Sequence, residues 1–174
     1  MIDTVAPAVT IGAPSALTTV SGPVTYLVTY ADANFAASTL TAGDVTLHKT
    51  GTADGIATVT GTGATRTVAV NGIRGSGTLG ISLEAGTAAD LAGNFAPAVG
   101  PSAVFQVDNP LPAVTSATSS AADGHYKAGS AINLAIHFSV PVSSPGLVIA
   151  LNSGGSVSTG PFSEVSSWSG TYTV

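Results

Sequence analysis

Apolar and polar residues alternate with a period of two through most of the chain, which predicts strands rather than helices. In the stretch VTYLVTY, Val24, Tyr26, Val28 and Tyr30 share one face. Leu79, Ile81 and Leu83 do so in TLGISLE, with Glu84 turned outward. In AINLAIHF, Ile132, Leu134, Ile136 and Phe138 alternate with Asn133 and His137. Between these stretches stand Asp54-Gly55, Asn71-Gly72 and Asp123-Gly124, pairs whose glycine accepts the positive φ of a tight hairpin turn. No segment combines helical periodicity with caps.

Seven strands are expected between Pro7 and Val107, near 8–13, 23–31, 44–50, 56–61, 65–71, 78–85 and 102–107. Seven short strands in about 100 residues is the size of an immunoglobulin-like sandwich, whose core comes from the inward faces of two sheets. The expected core is Val9, Ile11, Val24, Tyr26, Val28, Val45, Leu47, Val68, Val70, Leu79, Ile81, Leu83, Phe105 and Val107. A second unit follows, with strands near 113–118, 131–138, 147–152, 155–159 and 168–174. The expectation is an all-β chain of two tandem immunoglobulin-like units, 1–109 and 110–174. The second, immunoglobulin-like or cadherin-like, ends inside the strand-like WSGTYTV and reads as truncated.

Composition narrows the function more than it suggests one. Only 7% of the 174 residues are charged, the net charge is -5, and there are four basic residues. Nucleic acid and anionic membrane surfaces both call for clustered Lys and Arg, so neither is an expected partner. No apolar run approaches the roughly 20 residues that cross a bilayer, so no membrane insertion is expected of these residues. With no cysteine there is no disulfide, no thiol nucleophile and no thiolate-bound zinc. No signal peptide is evident, and Met1 running straight into IDTVAP reads as a cut placed at a domain junction.

That junction occurs twice. IDTVAPAV, from Ile2 to Val9, aligns with VDNPLPAV, from Val107 to Val114, so that Asp3 matches Asp108 and Pro7 matches Pro112. Pro110 and Pro112 fix their own φ and bias the preceding residues to extended forms, which suits a stiff link between sandwiches. Together with this junction, SGPVTYLVTYADANF, AGDVTLHKTGTADG and GTLGISLEAGTAADLAGN make residues 3–109 resemble the bacterial immunoglobulin-like repeats of large secreted and cell-surface proteins, adhesins among them. Residues 113–174, opening SATSSAADGHYKAGSAINLAIHFS, resemble a related repeat type over a shorter stretch. The resemblance implies a non-catalytic stalk or spacer at the cell surface or outside the cell, with neighbouring repeats of the same chain as its partners. The alternative is a carbohydrate- or protein-binding module accessory to a secreted enzyme or adhesin. Aromatic residues are only 6%, and Trp168 is the one platform on which a sugar could stack.

Motifs with chemical meaning are few. GSGTLG, Gly75 to Gly80, has the spacing of a dinucleotide-binding turn, but TLGISLEA after it alternates as a strand and not as the required helix, so a glycine-rich hairpin turn is expected. His48, His125 and His137 lie on separate segments without the spacing of a zinc site and are expected on solvent-facing positions. The acidic residues form no sequence-near pair suited to glycoside chemistry. An Asn–Lys isopeptide would need Lys49 or Lys127 buried beside an Asn, and Lys49 shares the parity of Val45 and Leu47.

DLAGN, Asp90 to Asn94, reads in two ways. Asp and Asn side chains can bond nearby backbone amides while Gly93 takes a positive φ. Alternatively, the same oxygens bind Ca²⁺, a hard cation that takes carboxylate and carbonyl ligands. In the second reading Asp3, Asp90 and Asn94 form one calcium set at a domain boundary, and Asp108 and Asn109 begin a second, incomplete set at the next.

Overall fold

The computed structural model describes residues 3–152 and 154–174. The chain forms two compact units, Met1–Pro110 and Leu111–Val174. Both are built from strands, and a single 3-10 turn, Ala42–Asp44, is the only helical element among the described residues.

The first unit contains β1 (Ala8–Ile11), β2 (Thr18–Thr19), β3 (Val24–Ala31), β4 (Phe35–Ser38), β5 (Val45–Lys49), β6 (Asp54–Thr60), β7 (Thr65–Leu83), β8 (Ala88–Asp90) and β9 (Phe105–Asn109). The strands make two layers joined through β7. One layer runs β1-β3-β7-β6 and uses the first half of β7, with Val24 opposite Val70 and Thr60 opposite Thr67. The other uses its second half, with β5 on one side and β9 on the other, and β2 beyond β9 in parallel. Tyr26 of the first layer and Phe105 of the second meet with ring centroids 6.3 Å apart. The Tyr26 hydroxyl crosses the core to donate to the Ala103 carbonyl at 2.9 Å. Burial pushes that hydroxyl's pKa up, partly offset by its hydrogen bond with Ser102.

Alternation is what fills this core. All fourteen expected core residues are either buried in it or packed against it. Tyr30, Leu40, Ala53, Ile73, Ala88 and Ala96 complete it. Leu40, Ala53 and Ala96 lie outside strands, where a period-two pattern gives no signal.

Three expectations are corrected in this region. Asn71-Gly72 and GSGTLG are not hairpin turns, because residues 65–83 form one strand. A straight strand of that length would span roughly 60 Å, about three times a typical strand, so it has to bend. The bend lies between the two layers, where Gly72, Gly75 and Gly77 take φ of 58°, 81° and 143°. Strands β5 and β6 lie end to end along the same side of β7. Between them, Thr50 N–H donates to Thr78 O at 3.0 Å and Thr52 N–H to Ser76 O at 2.8 Å. Cβ atoms on Gly75 and Gly77 would overlap the Thr52 and Thr50 carbonyls, so these glycines allow the close approach of two bent strands. Asp54-Gly55 likewise opens β6 and is not the turn, which falls at Thr50–Ala53 with Gly51 at φ 59°.

The second unit contains β10 (Val114–Ser119), β11 (Ala131–Ser144), β12 (Val148–Ala150), β13 (Ser156–Ser158) and β14 (Phe162–Thr173). A three-stranded sheet, β10-β11-β14, stands beside the β12–β13 hairpin. Strands β11 and β14 run further than the alternation suggested. They pair past Pro141 by shifting register between His137 and Val142, and Glu164 takes a φ of 53° near that irregularity. Ile136 is the only buried large hydrophobic among the described residues of this unit. A hollow of about 370 Å³, lined by Ala117, Leu134, Ile136, Ile149 and Leu151 among others, lies between the sheet and β12.

Candidate metal centre

Three aspartates from distant parts of the sequence meet at one end of the first unit. Ligand oxygens of Asp3, Asp32 and Asp90 all lie within 4.8 Å of one another. Asp3 belongs to the strap before β1, Asp32 to the β3–β4 turn, and Asp90 ends β8. The strands explain the meeting. Antiparallel pairing of β1 with β3 sets Ala8 opposite Ala31, and pairing of β4 with β8 sets Phe35 opposite Asp90.

Each aspartate closes a local turn in the same way. Asp3 Oδ1 accepts from Val5 N–H at 3.0 Å, Asp32 Oδ1 from Asn34 N–H at 2.7 Å, and Asp90 Oδ1 from Ala92 N–H at 2.9 Å. This is the Asx turn, in which a short acidic side chain stands in for a backbone acceptor. One oxygen of each is thereby tied to its own loop, and the second oxygens of Asp3 and Asp90 each accept from a carboxamide, at Asp3 from another loop and at Asp90 from its own. Asn34 Nδ2 donates to Asp3 Oδ2 at 2.7 Å, and Asn94 Nδ2 to Asp90 Oδ2 at 2.8 Å. Asn94 Nδ2 also reaches the Asp3 carbonyl at 3.2 Å, and Leu91 N–H donates to the Asn34 carbonyl at 2.8 Å.

Asp90 is the buried member, with 4% of its surface exposed. Burial raises its carboxyl pKa, but hydrogen bonds from the Asn94 side chain and from the Asn94, Ala92 and Gly93 amides outweigh burial and hold it below the usual carboxylate range. The cluster is therefore ionised at neutral pH on its most enclosed member. None of the four basic side chains neutralises it by an ion pair among the described residues. Lys49 and Arg74 both bind Asp54, and Arg66 donates to the Leu40 carbonyl and to Ser38.

Chemically, the site offers up to six carboxylate oxygens and the Asp3 carbonyl. The Asn34 and Asn94 carboxamides present their N–H groups to these oxygens and so serve as donors that hold the carboxylates; ligation by Asn94 would require its oxygen to turn inward at the expense of its bonds to Asp3 and Asp90. An oxygen-only donor set of this kind suits Ca²⁺ and gives a soft transition metal nothing to prefer.

Of the residues read from the sequence as calcium ligands, Asp3, Asp90 and Asn94 are brought together. Gly93 has φ 89°, so DLAGN is the side-chain-capped turn of the first reading, whether or not an ion binds it. Asp108 and Asn109 lie apart from the three-aspartate group. Asp108 stands opposite Ser76 on β9, and Asn109 Nδ2 caps the Ile73 carbonyl at 3.1 Å. Asp32 and Asn34 were missed. Their signal was the short spacing of Asp32-Ala33-Asn34-Phe35, which ends in the same Asn-Phe-Ala as the DLAGN turn.

Other sequence-level candidates fall into place around this. Lys49 is exposed and ion-paired to Asp54 at 2.5 Å, so it is not the buried lysine an isopeptide requires. The three histidines are exposed, and His48 contacts the Ser82 hydroxyl across neighbouring strands. Trp168 is half-buried. Its indole lies over Gly170, where a Cβ would collide with the ring, and it stands opposite Ile136 in the ladder.

Comparison with protein-family models, with curated proteins and with solved structures returned no match.

Proposed function

We infer that this chain is a non-catalytic spacer, two repeats of a larger bacterial surface or secreted protein of adhesin type, working outside the cell by holding other modules at a distance. The observation that carries the reading is that the first copy of the junction motif is stapled to the domain it precedes. Asp3 accepts from Asn34 through its side chain and from Asn94 through its carbonyl, and Asn94 also reaches the Val5 carbonyl at 3.4 Å. A junction held by side chains from two turns of the following domain cannot swivel freely, and a rod needs that property at every boundary. The motif recurs in the sequence at Asp108, as an array of repeats would have it. Ca²⁺ at the Asp3–Asp32–Asp90 cluster would draw the three loops together and stiffen the junction further.

Backbone ¹⁵N relaxation on the full chain tests the stapled junction. Residues 4–6 should show order parameters like those of the strands, about 0.85, and Asn94→Ala should lower them. Values below about 0.6 in the wild type would describe a flexible tether and overturn the spacer reading.

A further inference from the structure

The chain contains three pairs of the type that rearranges spontaneously, an Asp or Asn followed by Gly: Asp54-Gly55, Asn71-Gly72 and Asp123-Gly124. The chemistry is intrinsic to the peptide. The glycine amide nitrogen attacks the side-chain carbonyl, a C–N bond forms, and water leaves from Asp or ammonia from Asn. The resulting succinimide ring then takes up water at either carbonyl. One route restores the ordinary backbone, and the other yields isoaspartate, with an extra methylene in the main chain. Attack requires the glycine nitrogen to swing toward its neighbour's side chain, so a fixed backbone or an engaged side chain suppresses it.

The structure separates the three pairs sharply. Asp54 and Gly55 begin β6, with Asp54 opposite Arg74 in the ladder, and the carboxylate is bound by Lys49 and Arg74. A Cβ on Gly55 would press against Val70, so this backbone is closely packed. Asn71 lies in β7 opposite Ile56, and its amide donates to Thr58 Oγ1 at 2.9 Å and to the Ala69 carbonyl at 3.2 Å. Asp123 and Gly124 instead sit in a bend between β10 and β11, outside any ladder, and both are exposed. Nothing lies within 4 Å of the Cβ position on Gly124, and its φ is not in the left-handed region. Among the described hydrogen bonds, none holds the Asp123 carboxylate or the Gly124 amide.

We propose that Asp123-Gly124 is a site of spontaneous isomerisation, at which isoaspartate accumulates while Asp54-Gly55 and Asn71-Gly72 stay intact. Water is the only co-reactant. Because water departs only from the neutral carboxyl, the reaction runs faster at pH 5 than at pH 8. The lowered pKa of Asp54, set chiefly by its hydrogen bond to Lys49, opposes the same step at that pair. The affected bend leads into Gly124, His125 and Tyr126, which form one wall of a hollow of about 400 Å³ with Ile132, Leu134 and Tyr172. An added methylene shifts that wall, so isomerisation marks aged molecules in the second unit.

The test is incubation of the full chain at 37 °C for weeks at pH 5 and pH 8. Peptide mapping by electron-transfer fragmentation and methylation by an isoaspartyl methyltransferase then locate the product. The expected result is isoaspartate at position 123, more at pH 5, with no isomerisation at 54 and no deamidation at 71. Gly124→Ala should remove the signal, and since this bend carries no ladder bond the variant should fold. Unfolding the chain in urea should release the other two pairs to react. The proposal is overturned if position 123 stays unmodified, or if 54 and 71 react as fast in the folded chain.

Discussion

Replacing Gly75 by Ala probes the bent ribbon on which the first unit depends, and Gly72→Ala is its control. Both glycines have left-handed φ, which costs an L-residue about 1–2 kcal/mol. At Gly72 that is the whole cost, because nothing lies within 4 Å of the new Cβ. At Gly75 the Cβ would overlap the Thr52 carbonyl, so the ribbon has to open there. Opening sacrifices the bond from Thr52 N–H to the Ser76 carbonyl at 2.8 Å and that from Ser76 N–H to Thr52 Oγ1 at 3.0 Å. At about 1 kcal/mol each, the sum for Gly75→Ala is roughly 3–4 kcal/mol. For a domain of about this size 1 kcal/mol lowers Tm by roughly 4–8 °C. Gly72→Ala should therefore cost roughly 4–16 °C, and the two lost hydrogen bonds should make Gly75→Ala about 8–16 °C worse than that. Differential scanning calorimetry of the full chain reads this, with Phe105→Ala identifying the first unit's transition. Equal shifts for the two alanine variants would refute the argument that close approach of Thr52 dictates glycine at 75.

Other expectations follow from the same structure. The second unit, with Ile136 as the one buried large hydrophobic among its described residues, should exchange its β11 and β14 amides faster than β3 and β7 exchange theirs, as measured by native-state hydrogen exchange. Uniform protection across both units would contradict this. Asp54 and Asp90 both titrate below the ordinary Asp value in the folded chain. Their contribution is thus present above the unfolded pKa of about 3.9 and is lost as pH falls through the lower folded values. An acid titration followed by circular dichroism should show the low-pH limb flattened in Asp54→Asn. Gly170→Ala should displace the Trp168 ring and shift its fluorescence to the red, a clean signal because this is the only Trp. An unchanged spectrum would mean that the ring does not rest on the glycine.

Much of the first unit was legible because its strands are buried on one face, and burial on one face writes itself as alternation. Val24, Tyr26, Val28 and Tyr30 needed nothing more. What alternation cannot show is where a strand ends. Asn71-Gly72 carries the residues of a hairpin turn, yet tertiary pairing with β6 and β9 draws it through as a continuous bent strand. The two-residue β2 and the short β4 and β8 carry too few residues for a period to register. The candidate site was half legible. DLAGN advertised its turn chemistry, and the repeated junction linked Asp3 to a domain boundary. Asp32 was hidden because the pairing of β4 with β8, which brings its loop to Asp90, follows from the sandwich and not from spacing along the chain.

Calcium titration calorimetry on the chelator-treated full chain, with Asp32→Asn in parallel, tests most directly the claim that the junction is a cation-stiffened joint. The account predicts binding of one Ca²⁺ with a dissociation constant of about 10⁻⁴ to 10⁻³ M, as in extracellular calcium modules. Binding should be weakened by Asp32→Asn, Asp90→Ala or Asp3→Asn and unaffected by Asp108→Asn. At ten times that constant, Ca²⁺ should stabilise the first unit by about 1.4 kcal/mol, a rise of a few degrees in Tm that chelator removes. No binding heat up to 10 mM Ca²⁺, with superimposable melting curves in calcium and chelator, would contradict it and leave the three aspartates as turn caps alone.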